Sequence, residues 1–190
     1  MGRIRQILAG ITKPLRPDAT ACDAYVFTFL KLFVVKWYKN AEQIRYLNKH
    51  LAPQYSDKPK RIAPVAWHEW KAIKKLYKYG ISPKPIFLGH NYIIMEHAGT
   101  NLQDIECWEE RDDYRTQMWK IIEIMNDIGF KHNDLIPRNV CVKKDKLVLI
   151  DFTMSEFDGV SILEGIPNPI WAQPDDERIL DYFRTNKAIC

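Results

Sequence analysis

The chain has 190 residues, 46% of them hydrophobic and 12% aromatic, which is enough to fill one domain or two small lobes and too much for a disordered chain. Its net charge of +4 is unevenly spread: residues 1–90 carry 17 Lys+Arg against 5 Asp+Glu, and residues 91–190 carry 11 against 19. The basic half fits an acidic or phosphorylated partner, an attraction between two lobes, or a plain solvated surface, and no aromatic-interleaved basic motif marks a nucleic-acid module.

The longest apolar run, Ala24 to Val35, is broken by Lys31 and is too short to span a bilayer. No charged, apolar and small-residue succession of a secretory signal opens the chain. The four cysteines (Cys22, Cys107, Cys141 and Cys190) form no Cys-x-x-Cys pair, so reduced thiols are expected. These features lead to the expectation of a cytoplasmic protein with no membrane partner, or one delivered into a host cytosol if it is an effector.

In chain order, "YVFTFLKLFVVKWY" (25–38) is rich in Val, Phe and Tyr and predicts two strands with a tight turn near Leu30-Lys31. "AEQIRYLNKHL" (41–51) predicts a short helix, and the prolines of 52–64 predict a loop. Residues 65–80 predict a helix, with Trp70, Ile73 and Tyr77 at three and four and Gly80 as its stop. Two short strands follow, with a turn at Gly89-His90-Asn91. A second helix starts near Asp113 and buries Met118, Ile121, Ile122, Met125 and Ile128 before Gly129. "VCVKKDKLVLIDF" predicts a hairpin whose second strand, Leu147–Ile150, ends at Asp151. A last helix is expected over 175–184, and most tryptophans (Trp67, Trp70, Trp108, Trp119 and Trp171) are expected in packing. This succession is an α+β layout, a mostly antiparallel sheet followed by a helical half.

The polar loop "HNDLIPRN" (132–139) lies between the second helix and the hairpin. A hairpin returns its end to its beginning, so Asn139 and Asp151 should be neighbours. Their oxygens are hard ligands suited to Mg²⁺ that keeps waters and phosphate oxygens. Asp134, nearby, is placed to accept or orient the proton of an attacking hydroxyl, while His132 braces the loop. Phosphoryl transfer also needs a cation on the α- and β-phosphates and a partner for it. "FVVK" puts Lys36 at the end of an apolar strand, and Glu69 on the 65–80 helix is its candidate partner; Lys31 and Lys39 are chemically identical neighbours.

Together these pieces ("VVK", "EWKAIKKLYKYGISPKP", "IIMEHAGTNL", "HNDLIPRN" and "LIDF") resemble the protein-kinase-like superfamily. The resemblance is to its small atypical branch: RIO kinases, the compact kinase of the KEOPS complex, aminoglycoside-type phosphotransferases and minimal bacterial effector kinases. It covers roughly residues 25–156 and implies a bilobal fold. Residues 1–98 would form a small antiparallel-sheet N-lobe and residues 99–190 a shortened helical C-lobe. It implies ATP and Mg²⁺ (or Mn²⁺) as cofactors and a protein serine/threonine hydroxyl as acceptor. A small-molecule kinase and a nucleotide-binding pseudokinase module stand as alternatives. Residue by residue, it implies that Lys36 contacts the α- and β-phosphates, oriented by Glu69. The backbone of Met95, Glu96, His97 and Ala98 would hold adenine. Asp134 would be the catalytic aspartate, with Asn139 and Asp151 as metal ligands.

The sequence departs from the pattern at three points. Residues 10–24 carry a single Gly where a Gly-rich loop belongs, with Lys13 and Arg16 as substitute charges. Asp151 opens Asp-Phe-Thr instead of Asp-Phe-Gly. Only 39 residues follow Asp151, with no Ala-Pro-Glu box, which is too short a stretch for the usual peptide platform.

Overall fold

The computed structural model describes residues 24–39, 65–161 and 178–185. The expected helix over 41–51, the loop over 52–64, the region of the Gly-rich loop with Lys13 and Arg16, and Trp171 lie outside the described residues. Strands β1 (Ala24–Phe29) and β2 (Phe33–Tyr38) pair antiparallel with Val26 opposite Lys36. Their turn places Leu30 and Lys31 at φ 50° and 55°, and Leu32 N–H closes it on Phe29 O at 2.8 Å. Two adjacent left-handed residues match the twist of the flanking strands.

Helix α1 (Val65–Tyr77) buries Ala66, His68, Glu69, Ala72, Ile73 and Leu76. Of the expected stripe, Ile73 is fully buried and Trp70 packs partly buried against the core, while Tyr77 is 43% exposed, because the inward face is the one that carries Glu69. Gly80, at φ 72°, ends the helix region in a left-handed turn. Strands β3 (Pro85–Leu88) and β4 (Tyr92–Glu96) complete a four-stranded sheet of order β1-β2-β4-β3. Strand alternation sends Val34, Lys36 and Tyr38 of β2 to one face with Ile93 and Met95 of β4; Trp37 stacks on Tyr92 at 5.2 Å on the other.

The second half opens with β5 (Thr100–Asn101). It pairs with the hairpin of β6 (Val140–Lys143) and β7 (Lys146–Leu149) in a three-stranded sheet. Helix α2 (Asp112–Asp127) buries Tyr114, Met118, Ile121, Ile122 and Met125. This is the expected stripe, shifted one turn back toward the N-terminus, with Ile128 only partly buried. A short hairpin, β8 (Glu156–Phe157) with β9 (Val160–Ser161), bridges to Lys131, and helix α3 (Arg178–Thr185) packs Phe183 edge-on against Trp108 at 5.0 Å. One continuous apolar cluster joins both halves, and Leu149 N–H donates to Ile81 O at 2.7 Å between them.

Two minor expectations fail. Trp67 and Trp119 are 42% and 39% exposed, because each faces away from the buried side of its helix. Cys107 is disulfide-bonded and so is not a reduced thiol, whereas Cys141 is free and buried. No helix among the described residues is long and apolar enough to cross a membrane.

Candidate active site

Lys36 lies on the inward face of β2 and is 8% exposed. Its ammonium donates to Glu69 Oε1 at 2.9 Å and Oε2 at 2.8 Å, and to Asp151 Oδ1 at 2.6 Å. Glu69 is fully buried on α1, where Tyr38 also donates its hydroxyl to Oε2. A buried carboxylate is tolerable only with such partners. Tyr38 follows Lys36 by two positions, so strand alternation alone puts both side chains on Glu69. Lys31 and Lys39 do not take this place: Lys31 sits in the β1–β2 turn, and Lys39 lies over the Tyr25 ring at 4.9 Å.

Burial works against the Lys36 charge, but Asp151 and Glu69 outweigh it and hold the ammonium above its ordinary range. Desolvation likewise pushes the Asp151 carboxyl up, although its side chain keeps 44% exposure. The Lys36 charge, with hydrogen bonds from Lys36 and Thr153, prevails and brings it down to about 2. Asp151 stands at the end of β7 at φ 62°, a left-handed conformation costly for a residue with a side chain.

The polar loop folds as the hairpin argument requires. Ile150 N–H donates to Asn139 O at 2.9 Å, which sets Asp151 beside the start of β6. Asn139 is 4% exposed, and its Nδ2 donates to Asp134 O at 2.8 Å and Asp134 Oδ2 at 2.9 Å. With the amide nitrogen held there, no described residue bonds its Oδ1. His132 is fully buried, with Nε2 at 3.1 Å from Ile150 O, so it does brace the loop against the strand before Asp151. Asp134 keeps some exposure. Desolvation raises its pKa above the usual carboxylate value, against the opposing charge of Arg138, whose Nη2 is 3.8 Å away.

Asn139 Oδ1 and one Asp151 oxygen are two hard donors beside a lysine and a carboxylate. They fit a cation that takes most of its remaining ligands from phosphate and water. No cluster of three or more His, Cys, Asp or Glu that could form an all-protein metal cage occurs among the described residues.

Two groups were not legible as site residues. In the sequence Thr153 stands out only as a departure from Gly, yet its hydroxyl contacts Lys36, Glu69 and Asp151. His68, also fully buried, sets Nε2 at 2.9 Å from Ser155 O and thereby ties α1 to the segment after Asp151. Its pairing partner is 87 residues away, and no local spacing announces such a contact.

Known proteins resemble the chain in sequence and in fold. The RIO domain model matches residues 18–156. A protein of Invertebrate iridescent virus 3, 040L, named only provisionally as a serine/threonine-protein kinase, is 44% identical over 71 residues, which is 37% of this chain and 20% of that protein. The Rio2 kinase from Chaetomium thermophilum superposes with a TM-score of 0.59 at 16% identity, covering 96% of this chain and 60% of that one. The same kinase in an ADP/Mg2+-phosphoaspartate complex gives 0.56 at 14%, covering 95% and 57%. The kinase PK-1 of Cydia pomonella granulovirus gives 0.51 at 18%, covering 83% and 56%. The chain thus spans about a fifth of the curated relative and under two thirds of each solved one. The chain belongs to the RIO domain family, and its fold is protein-kinase-like.

Proposed function

We propose that the chain is an ATP- and Mg²⁺-dependent phosphotransferase acting on a serine or threonine hydroxyl of a protein. The observation that carries this reading is the convergence of Lys36, Glu69 and Asp151 at 2.6–2.9 Å, with Asp134 and Asn139 in mutual contact at 2.9 Å beside them. Residues 1–98 contribute Lys36 and its α1 partner, and residues 99–190 contribute the catalytic loop and Asp151. Lys36, charged at any working pH, would turn from Asp151 toward the α- and β-phosphates while Glu69 keeps its direction. Asn139 Oδ1 and Asp151 would hold Mg²⁺, which when bound neutralises phosphate charge. Asp134, its carboxyl raised by burial, would take the proton of the attacking hydroxyl as that oxygen bonds to the γ-phosphorus and ADP leaves.

For the adenine, two amides of the proposed segment are already committed. Glu96 N–H donates to Lys84 O at 2.9 Å and His97 N–H to Leu32 O at 3.0 Å. The Ala98 N–H makes no bond to a described residue, so it is the proposed donor. Met95, 7% exposed on the inward face, would close the pocket behind the ring.

The ADP/Mg2+-phosphoaspartate state of Rio2 supports a second acceptor, a carboxylate of the site itself. Asp151 favours this reading, because its side chain is 44% exposed and no described residue bonds its Oδ2. Incubation with radiolabelled ATP and Mg²⁺ followed by hydroxylamine separates the two. Label on a partner protein that survives hydroxylamine supports the hydroxyl acceptor. Label on the chain itself that hydroxylamine removes supports the carboxylate. The absence of any label counts against both.

A further inference from the structure

Thr153 occupies the third position of the Asp-Phe-Thr stretch, in the short 3₁₀ turn Phe152–Met154 that follows the strained Asp151. It is 9% exposed, so its hydroxyl must find partners inside the site. It finds three. Thr153 Oγ1 lies 2.8 Å from Asp151 Oδ1 and 3.1 Å from Glu69 Oε2, and Lys36 Nζ is 3.4 Å away as a donor to it. One hydroxyl has one proton, so it donates to one carboxylate at a time, and the shorter contact is to Asp151.

This has a directional consequence. Lys36 and Thr153 both engage the same Asp151 oxygen, Oδ1. Two donors on that oxygen fix the rotation of the carboxylate about its Cβ–Cγ bond, and Thr153 remains as the donor once Lys36 turns to phosphate. The other oxygen, Oδ2, is left with no described partner in a side chain that is 44% exposed. The Thr153 hydroxyl thus links its own turn to Asp151, and its proton is not available to Glu69 at the same time. A glycine at this position supplies no such link.

We propose that Thr153 is a positioning residue: its hydroxyl holds Asp151 Oδ1 so that Oδ2 faces a divalent cation. The catalytic part of this proposal rests on the functional reading above; the cation-binding part does not require turnover.

The test uses Mn²⁺ as probe, titrated by electron paramagnetic resonance in the presence of ADP, on the full chain and on Thr153→Val and Thr153→Ser. Valine keeps the shape and removes the hydroxyl, whereas serine keeps the hydroxyl. Loss of a group that orients a metal ligand weakens binding by about tenfold or more, and that is the loss expected for Thr153→Val. Thr153→Ser should stay within about twofold of the wild type, the range expected when the hydrogen bond is retained. Where phosphate transfer is measurable, the half-saturating Mg²⁺ concentration should rise in Thr153→Val and be restored in Thr153→Ser. Melting temperatures of the three proteins separate this from general loosening. The proposal is overturned if Thr153→Val binds Mn²⁺·ADP as the wild type does, if both variants weaken it equally, or if the wild type gains no Mn²⁺ affinity from ADP. A wild type that binds Mn²⁺·ADP but transfers no phosphate contradicts the functional reading, and the difference between valine and serine still decides the role of Thr153.

Discussion

Lys36 holds two carboxylates at once, on β2's inward face, and the stability and chemistry of the site meet there. Its removal leaves Glu69 fully buried with only hydroxyl partners. Breaking a buried ion pair on one side costs about 3–5 kcal/mol, while replacing both partners by apolar groups is often neutral. Lys36→Met is therefore expected to lower the unfolding free energy by about that amount in urea, and Lys36→Met with Glu69→Leu to recover most of it. If the double variant is as unstable as the single one, the pair is not the unit that the geometry indicates. Neither variant should transfer phosphate, because stability can be restored by apolar packing but contact with phosphate cannot.

At the scale of elements, the strands and helices that carry the site were legible because each has its own local signal. The β1–β2 and β6–β7 hairpins show apolar runs split by a turn, and α2 shows a stripe at helical spacing. On α1, helical spacing alone puts Tyr77 in the core, while Glu69 is legible only as the partner that Lys36 needs. Burial follows the ion pair with Lys36 instead, which lies 33 positions away. The polar loop over 132–139 was legible as a set because Asp134 and Asn139 are close in sequence and the hairpin returns Asp151 to them. His68 was not, since Ser155 lies 87 residues away, and Thr153 was not, since Lys36 and Glu69 reach it from β2 and α1. One junction makes a sharp prediction. Gly99 stands at φ 105° between β4 and β5, and a Cβ there would lie 2.0 Å from Val142 O, a backbone atom. Gly99→Ala must move β5 off β6 or distort the turn, and is expected to destabilise the chain by more than about 1 kcal/mol in urea unfolding. A neutral result would contradict a close approach of Gly99 to Val142.

At the scale of the whole molecule, α1 is tied to the segment after Asp151 by the buried His68, and this tie responds to pH. Burial lowers the His68 pKa from 6.5. The unfolded chain then takes up a proton that the folded chain refuses, so stability falls as pH drops below about 6.5. Asp151 acts lower down. Its carboxyl goes from 3.8 to about 2 on folding, so its contribution is present above 3.8 and is lost as pH falls toward 2. Calorimetric melting should therefore show an acid decline in two stages. His68→Gln, which keeps a hydrogen-bond donor, should flatten the first stage and leave the second. If both stages are unchanged in that variant, His68 does not carry the tie.

The central claim, that these two halves form one phosphoryl-transfer site, is tested most directly by the rate at which label moves from γ-labelled ATP in the presence of Mg²⁺, compared between the wild type and Asp134→Ala. The account expects transfer by the wild type and a fall of about 10²–10⁴-fold in the variant at unchanged melting temperature, the range for loss of a positioned general base. Equal rates in the two proteins, or no transfer by a wild type that binds ATP and Mg²⁺, would contradict it.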